Sequence, residues 1–269
     1  MSLVGSRTLE RVRQRQRDGA ALGAAVAVGP AGRLLAMATV QLLPVKRRVI
    51  PEMPLPVRIS LPTGSRWFWF RDGSELIALR EIFGEGEYDA VGRGDPRLIV
   101  DLGANAGQAA LWLRCRFPQA RIISAEPDPR TFATLTRNHG RDPMITLAQV
   151  AIAGTDGLCA LAREADSSWG TRVVPDRRGD VDHVQAVRLE TLMQQHAIEW
   201  IDLLKVDIEG MEHEALGRCD ALRRVGRVIG EIHADRIGVP VDRALDDMRR
   251  SGGFDTAVLH GDIFVLERR

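Results

Sequence analysis

The stretch from Leu98 to Gly107 constrains the fold of this 269-residue chain more than any other part of it. Three apolar residues lead into Asp101, a glycine-rich turn follows, and a helix-forming segment begins at Gln108. A strand, a glycine turn and a helix in this order let the backbone approach a ligand closely, because the turn carries few side chains. The order predicts an α/β domain with a cradle for an adenosyl cofactor.

The acid at the end of this strand indicates which cofactor the cradle holds. The turn from Asp101 to Gly107 lacks the Gly-x-Gly-x-x-Gly spacing of dinucleotide sites. A carboxylate there would repel a pyrophosphate, but it can accept hydrogen bonds or attract the ammonium group of S-adenosylmethionine. The turn therefore favours a methyl donor, and an NAD(P)-binding oxidoreductase is the alternative function.

A second acidic strand end follows at the spacing that such a cradle requires. The apolar segment 121–125 ends at Glu126, and Pro127, Asp128 and Pro129 come next. A carboxylate at the tip of the second strand is placed to accept hydrogen bonds from both ribose hydroxyls of an adenosyl cofactor. Together the two strand ends predict the cofactor site.

Charge divides the chain into a basic start and an acidic remainder. Residues 1–50 carry nine Lys and Arg against two acids, a balance of +7, so the remainder is −6 to give the total of +1. We expect this extension to be helical and to serve homo-oligomer assembly or peripheral contact with an anionic membrane surface. Its apolar part, residues 19–43, is interrupted by Gly29-Pro30 and Arg33, which leaves pieces shorter than the roughly 20 residues of a membrane-spanning helix.

The rest of the sequence predicts two further regions. Residues 51–97 are a proline-rich linker and N-terminal subdomain, in which a strand covers Trp67–Phe70 and a helix covers Glu75–Phe83. Residues 98–269 are the catalytic domain, where strands and helices alternate until a hairpin closes the series. We expect a mostly parallel sheet with one antiparallel strand near its edge, and an irregular or hairpin excursion over residues 154–188.

Cysteine usage and charge exclude several classes of site. Cys115, Cys159 and Cys219 are isolated and lack Cys-x-x-Cys spacing, which argues against a disulfide framework and a structural zinc site and suits the cytoplasm. The acidic core has no basic stripe, so we expect no nucleic-acid partner.

Four further polar residues follow predicted strands, and the carboxyl ends of strands are where reactive groups collect in such sheets. They are Asp207, Glu209, Glu231 and His233. Methyl transfer to a hydroxyl needs a base, and the ordinary imidazole pKa of about 6.5 makes His233 our choice. Asp207 would orient the hydroxyl or stabilise the imidazolium. Glu209 is either a third catalytic group or a favourable charge at a helix start.

A divalent ion is a second way to activate a hydroxyl. Asp207, Glu231 and His233 can together supply ligands for one, although methyl transfer does not demand a metal. Lys205 shares a strand face with Asp207, and we interpret it as a paired charge. The other histidines are interpreted as surface or structural residues.

Three blocks of the sequence resemble the hallmark motifs of the FkbM-type methyltransferases. They are residues 100–107, 126–129 and 201–212, and the segment 231–233 is similar to the family's later block. The resemblance implies an S-adenosylmethionine-dependent O-methyltransferase with the seven-stranded class I fold. It implies an acceptor hydroxyl on a sugar, a glycolipid or a polyketide-type small molecule.

The resemblance also assigns residues to the cofactor by position. They are Asp101, Gly103, Ala104, Asn105, Gly107, Glu126, Pro127 and Asp128. Tyr88, which lies before the first central strand, is expected to close over the donor. A catalytically silent Rossmann-fold scaffold is the remaining alternative, and the acids present at the strand ends argue against it.

Overall fold

A computed structural model describes residues 53–61, 64–86, 88–91, 94–162, 172–174 and 182–268. The basic extension at 1–50 lies outside these residues, so its expected helices and its role in assembly stay predictions. The chain divides into two compact units, one formed by residues 1–87 with 167–169 and the other by 88–166 with 170–269. None of the helices in the described residues is long and apolar enough to cross a bilayer.

The first unit contains a two-stranded hairpin and a helix. Strand β1 (Leu55–Leu61) pairs antiparallel with β2 (Gly64–Phe70), and helix α1 (Gly73–Arg80) follows. Side chains alternate along β2, since Phe68 and Phe70 are fully buried while Trp67 is half exposed. The strand predicted at Trp67–Phe70 is confirmed. The predicted helix is confirmed with an earlier end, because the chain continues from Arg80 as a π-helix over Glu81–Glu85.

The second unit alternates strands and helices in the predicted manner. In chain order its strands and α-helices are β3 (Leu98–Leu102), α2 (Gln108–Arg116), β4 (Arg121–Ala125), α3 (Pro129–His139), β5 (Ile145–Ala148), β6 (Ala151–Ile152), β7 (Gly157–Ala162), β8 (Arg172–Val174), β9 (His183–Val187), α4 (Leu189–Gln195), β10 (Ile201–Val206), α5 (Glu212–Leu216), β11 (Val225–Glu231), α6 (Val241–Gly252), β12 (Thr256–His260) and β13 (Ile263–Glu267).

The main sheet has seven strands in the order β12-β13-β11-β10-β3-β4-β5. Strand β13 runs antiparallel to both of its neighbours, and the other pairs are parallel. The central strands β3, β4 and β10 are nearly continuous apolar runs with few exposed residues, as expected for parallel strands covered on both faces. The predicted class I methyltransferase fold, with its single antiparallel strand, is confirmed.

A second sheet forms where the sequence predicted an irregular or hairpin excursion. Its order is β6-β9-β7-β8, with β7 antiparallel to both β8 and β9. A small apolar cluster that includes Cys159, Val184 and Ala186 holds it together. Cys159 is therefore a buried apolar side chain, as its isolation in the sequence predicted.

Candidate active site

The glycine turn between β3 and α2 has a backbone that only certain residues can adopt. Gly103, Asn105 and Gly107 have φ values of +73°, +50° and +96°. A Cβ atom at Gly103 would lie 1.7 Å from the backbone oxygen of Asp207. The turn therefore requires glycine at position 103, both for its left-handed conformation and for its approach to the end of β10.

Neighbouring segments hold this turn through its backbone. The amides of Gly103 and Ala104 donate to the carbonyl of Ala125 at 3.0 and 2.9 Å. From α3, the Asn138 amide nitrogen donates to the carbonyl of Ala106 at 2.8 Å, and the His139 ring nitrogen Nε2 lies 2.9 Å from the carbonyl of Gly107. The structural role predicted for His139 is confirmed, because its side chain is buried against the turn.

Glu126 lies at the tip of β4 and also contacts the turn. Its Oε2 accepts from the backbone amide of Asn105 at 3.0 Å, and its Oε1 accepts from the amide of Asp128 at 2.9 Å. A carboxylate oxygen can accept more than one hydrogen bond, so the group retains acceptor capacity for a ligand hydroxyl. The position of Glu126 thus agrees with the predicted ribose contact, and the role stays a prediction.

Several other residues assigned to the cofactor have structural contacts in this fold. Asp128 caps α3 by accepting from the backbone amide of Thr131 at 3.3 Å, and it also accepts from the Thr131 hydroxyl at 2.8 Å. Tyr88 is buried, and its ring meets Trp112 edge to face with a centroid separation of 6.0 Å. Ala104 is buried and Pro127 is half-buried. Tyr88 therefore packs against the first helix after the glycine turn, and its expected closure over the donor stays a prediction.

Asp101 has protein partners for its buried carboxylate. Its side chain has no exposed surface, and its Oδ1 lies 3.2 Å from the Lys205 ammonium. Its Oδ2 accepts from the Ser124 hydroxyl at 3.3 Å. The charge of Asp101 is thus balanced within the protein, and its role toward the donor stays a prediction. The interpretation of Lys205 as a paired charge is confirmed.

The predicted catalytic residues meet at the adjoining ends of β10 and β11. The Nε2 atom of His233 lies 3.3 Å from Glu209 Oε2 and 3.9 Å from both Asp207 Oδ1 and Glu231 Oε1. These side chains are partly exposed, between 12% for His233 and 36% for Glu231. The sequence therefore placed all four in one cluster correctly.

Sequence reasoning gave no role to Glu212, which orders this cluster. Its side chain is fully buried at the start of α5, and its Oε1 accepts from His233 Nδ1 at 2.9 Å. The same oxygen accepts from the backbone amides of Ile208 and Gly210 at 3.3 and 3.0 Å. Glu212 therefore fixes both the imidazole ring and the turn that carries Glu209. The signal was a second acid three positions after Glu209, in the first turn of a predicted helix.

The carboxylates change the acid–base chemistry of His233. Burial alone lowers the pKa of this imidazole, but the hydrogen bond to Glu212 and the negative charges of the nearby carboxylates outweigh burial and raise the pKa from 6.5 to about 9. The expectation of an ordinary imidazole pKa is therefore wrong. At neutral pH the ring is mainly an imidazolium.

The grouping of possible metal ligands also differs from the sequence prediction. One ligand atom from each of Asp207, Glu209 and His233 lies within 4.8 Å of the other two. Glu209 thus takes the place that the sequence analysis gave to Glu231. The guanidinium of Arg236 forms an ion pair with Glu209 and already balances part of this charge.

Comparison with known proteins decides the family. The Methyltransferase FkbM domain matches residues 101–256, which is more than half of the chain. The matched residues include the glycine turn, Glu126 and the group of carboxylates around His233. The chain belongs to the FkbM methyltransferase family. It is accordingly a methyltransferase, and the family implies S-adenosylmethionine as its methyl donor.

Three curated relatives are between 25% and 28% identical in sequence to this FkbM methyltransferase over the aligned residues. 31-O-demethyl-FK506 methyltransferase FkbM of Streptomyces tacrolimicus is 25% identical over 247 residues, covering 77% of this chain and 92% of that protein. Hexuronic acid methyltransferase AglP of Haloferax volcanii is 28% identical over 197 residues, covering 72% and 77%. AMB antimetabolite synthetase AmbE of Pseudomonas aeruginosa is 25% identical over 246 residues, covering 75% of this chain and only 12% of that protein.

Proposed function

We propose that this FkbM methyltransferase is an O-methyltransferase that acts on a hydroxyl of a sugar, a glycolipid or a polyketide-type small molecule. The observation that carries the proposal is the position of His233. Its Nε2 atom lies among carboxylates at the carboxyl end of β11, two strands from the glycine turn at the end of β3. The imidazole and the glycine turn lie on the same edge of one sheet. An acceptor hydroxyl held beside a donor in that turn would be in reach of a base.

The residues at the ends of β3 and β4 fit an adenosyl donor. The positive-φ turn follows β3 where an adenosyl cradle is expected, and Glu126 offers carboxylate oxygens at the tip of the second strand. When bound, the donor supplies an electrophilic methyl group on a sulfonium. The chain then has two tasks, which are to orient the hydroxyl and to remove its proton.

His233 is the proposed proton acceptor. In the neutral ring, Nδ1–H donates to Glu212, which leaves the Nε2 lone pair to take the hydroxyl proton. Asp207 and Glu209 then stabilise the imidazolium that forms, because both carboxylates lie within 4 Å of Nε2. With a pKa of about 9, the neutral ring of His233 is a stronger base than an ordinary histidine, but only a small fraction of the rings is neutral at neutral pH. We therefore expect kcat/KM to rise with pH through about 9 rather than through the ordinary histidine range.

Two relatives support the acceptor class. One is named for 31-O-demethyl-FK506, which indicates transfer to an oxygen of a small molecule. The other is named for a hexuronic acid, which indicates a sugar acid as acceptor and leaves the methylated oxygen unnamed. We extend this chemistry to the present chain, with no nucleic acid as acceptor.

A labelled-donor assay tests the proposal. The full chain is incubated with S-adenosylmethionine labelled in the methyl group and a panel containing a uronic acid glycoside, a neutral glycolipid and a macrolide with free hydroxyls. Each acceptor is matched with its deoxy analogue. We expect label only with the hydroxyl form, in an ether that survives alkaline hydrolysis. Label released by alkali marks a methyl ester, and label on an added amine marks N-methylation; either result contradicts the proposal.

Two simpler measurements accompany the assay. Calorimetry should detect S-adenosylhomocysteine at about micromolar affinity and no binding of NAD, and the reverse result would favour an oxidoreductase. Activity that survives exhaustive chelation would exclude a divalent ion at Asp207, Glu209 and His233. Cytoplasmic location and assembly through residues 1–50 stay predictions.

A further inference from the structure

Lys205 occupies an unusual position in the main sheet. It lies on the central strand β10 between apolar neighbours, and only 3% of its side chain is exposed. In the parallel pairing of β10 with β3 it stands directly opposite Asp101, the last but one residue before the glycine turn. A charged residue in the middle of a buried strand needs a reason, because removing an ammonium from water is costly.

The contacts of the ammonium extend beyond its ion pair. Lys205 Nζ lies 3.2 Å from Asp101 Oδ1, and it donates to the carbonyl of Gly103 at 2.8 Å. The carbonyl of Leu102 is 3.4 Å away and Asp207 Oδ2 is 3.6 Å away. An ammonium has three hydrogens and can donate to several acceptors at once. The shortest of these contacts is to the backbone carbonyl of the glycine turn, not to a carboxylate.

This geometry separates two roles for the same lysine. If Lys205 only balanced the charge of Asp101, an uncharged pair at the two positions would serve equally well, as replacements of buried ion pairs by apolar groups often do. If it also fixes the turn, the uncharged pair would restore the fold but leave the Gly103 carbonyl without its donor. The carbonyl belongs to the glycine at which an added Cβ atom would lie 1.7 Å from the backbone oxygen of Asp207.

We propose that Lys205 is a positioning residue of the donor site, whose ammonium holds the Gly103 carbonyl and thereby sets the shape of the glycine turn. It does this in addition to neutralising Asp101. Lys205 touches none of the reacting atoms and takes part in no proton transfer. The inference rests on the proposed donor site and adds a residue that the sequence analysis treated as a charge partner alone.

The test compares a single and a charge-matched double variant of the full chain. Lys205→Met leaves Asp101 buried without its partner, and we expect the Tm to fall by about 10 °C. Asp101→Asn combined with Lys205→Met removes both charges, and we expect most of the lost Tm to return. Arg114→Met is the matched control, because it breaks the ion pair with Asp142 at 3.1 Å on the same unit without touching the turn.

Binding of S-adenosylhomocysteine, measured by calorimetry, is the readout that a purely structural role would not move. We expect the dissociation constant to rise roughly tenfold in Lys205→Met and to stay raised in the double variant, since the charge-assisted hydrogen bond to Gly103 is absent from both. Arg114→Met should bind as the wild type does. The titrations are made well below the lowest Tm of the set, where each variant is folded, because partial unfolding would itself raise the apparent dissociation constant.

The outcomes separate this inference from the proposed function. A double variant that regains both Tm and wild-type affinity would overturn the positioning role and leave the donor site intact. Unchanged affinity in Lys205→Met would overturn it as well. Wild-type protein that binds no S-adenosylhomocysteine would instead remove the proposed donor site itself.

Discussion

The edge of the main sheet at which the parallel strands end has two regions, called here the donor edge and the acceptor edge, and these are built in opposite ways. At the donor edge, around the ends of β3 and β4, Asp101, Glu126 and Asp128 are all less than 8% exposed and are bonded to protein atoms. At the acceptor edge, around the ends of β10 and β11, the polar side chains are partly exposed and crowd around one imidazole. A ligand that is the same in every turnover suits a rigid backbone cradle, whereas a reacting hydroxyl needs side chains that exchange protons.

The two edges also differ in charge. Asp101 and Lys205 balance each other within the sheet, so the donor edge has little uncompensated charge near the turn. At the acceptor edge several carboxylates surround His233 and Arg236, and the imidazole pKa rises as a result. We therefore expect proton chemistry at the acceptor edge, where the ionisable groups are partly exposed and interact with one another.

The largest effect should come from the acceptor edge. His233→Ala is expected to lower kcat by about 10²–10⁴-fold, the usual cost of losing a positioned base, while affinity for S-adenosylhomocysteine stays within a few-fold. Steady-state kinetics with the acceptor from the labelling panel measures it. His260→Ala, at an exposed site on β12, is the control. If His233→Ala keeps more than about a tenth of kcat, the base is elsewhere and Asp207 or Glu209 is the next candidate.

The donor edge should be sensitive to a change in its backbone. Gly103→Ala places a methyl group against Asp207 at a φ of +73°, so we expect a loss of about 2–5 kcal/mol in unfolding free energy and much weaker donor binding. Gly238→Ala is the control, because Gly238 has a φ of +71° with no atom within 4 Å of a Cβ. Urea unfolding that gives equal losses for the two variants would show that strain alone is responsible.

Glu126 is the side chain at the donor edge that we predict to accept from the ribose hydroxyls of the ligand. Glu126→Ala should weaken donor binding by about 1–3 kcal/mol, because a charged acceptor and the support of the Asn105 amide are both lost. Glu126→Gln retains one acceptor oxygen and should lose less. Calorimetry with S-adenosylhomocysteine measures both. Wild-type affinity in the alanine variant would remove Glu126 from the site.

The smallest effect concerns stability and pH. The folded pKa of His233, about 9, exceeds its unfolded value of about 6.5, so this group stabilises the fold fully below the unfolded pKa. The contribution is lost as pH rises through the folded pKa. Urea midpoints measured between about pH 6 and pH 10 should therefore fall less steeply in Glu212→Gln than in the wild type. Equal slopes would show that Glu212 does not raise the pKa.

Much of the donor edge could be predicted from sequence because its determinants are local. The positive-φ turn requires glycine at position 103, and that requirement is visible in the spacing of the turn. The alternation of apolar strands and helices gave the parallel sheet, and the closing hairpin gave the antiparallel strand β13. The burial of the Asp101 carboxylate could not be predicted, because it depends on a lysine that follows 104 positions later and faces it across the sheet.

The acceptor edge was predicted less completely, because its properties arise from packing between distant segments. Four candidate residues were placed together correctly from their positions after strands. The role of Glu212 and the pKa of His233 could not be predicted, since both depend on a contact between α5 and the residue after β11. The spacing of acids along the sequence does not show which of them is buried against the imidazole ring of His233.

The position of β10 between β3 and β11 has a consequence for how the molecule acquires its activity during folding. Strands β3, β4 and β5 are close in sequence and can pair early, whereas Lys205 meets the carbonyl of Leu102 across 103 positions of chain. An intermediate that lacks β10 has a glycine turn without the backbone of Asp207 behind it, and Asp101 without a cation. We therefore expect competence for methyl transfer to require the insertion of β10, because this strand brings both the backbone of Asp207 and the cation that faces Asp101.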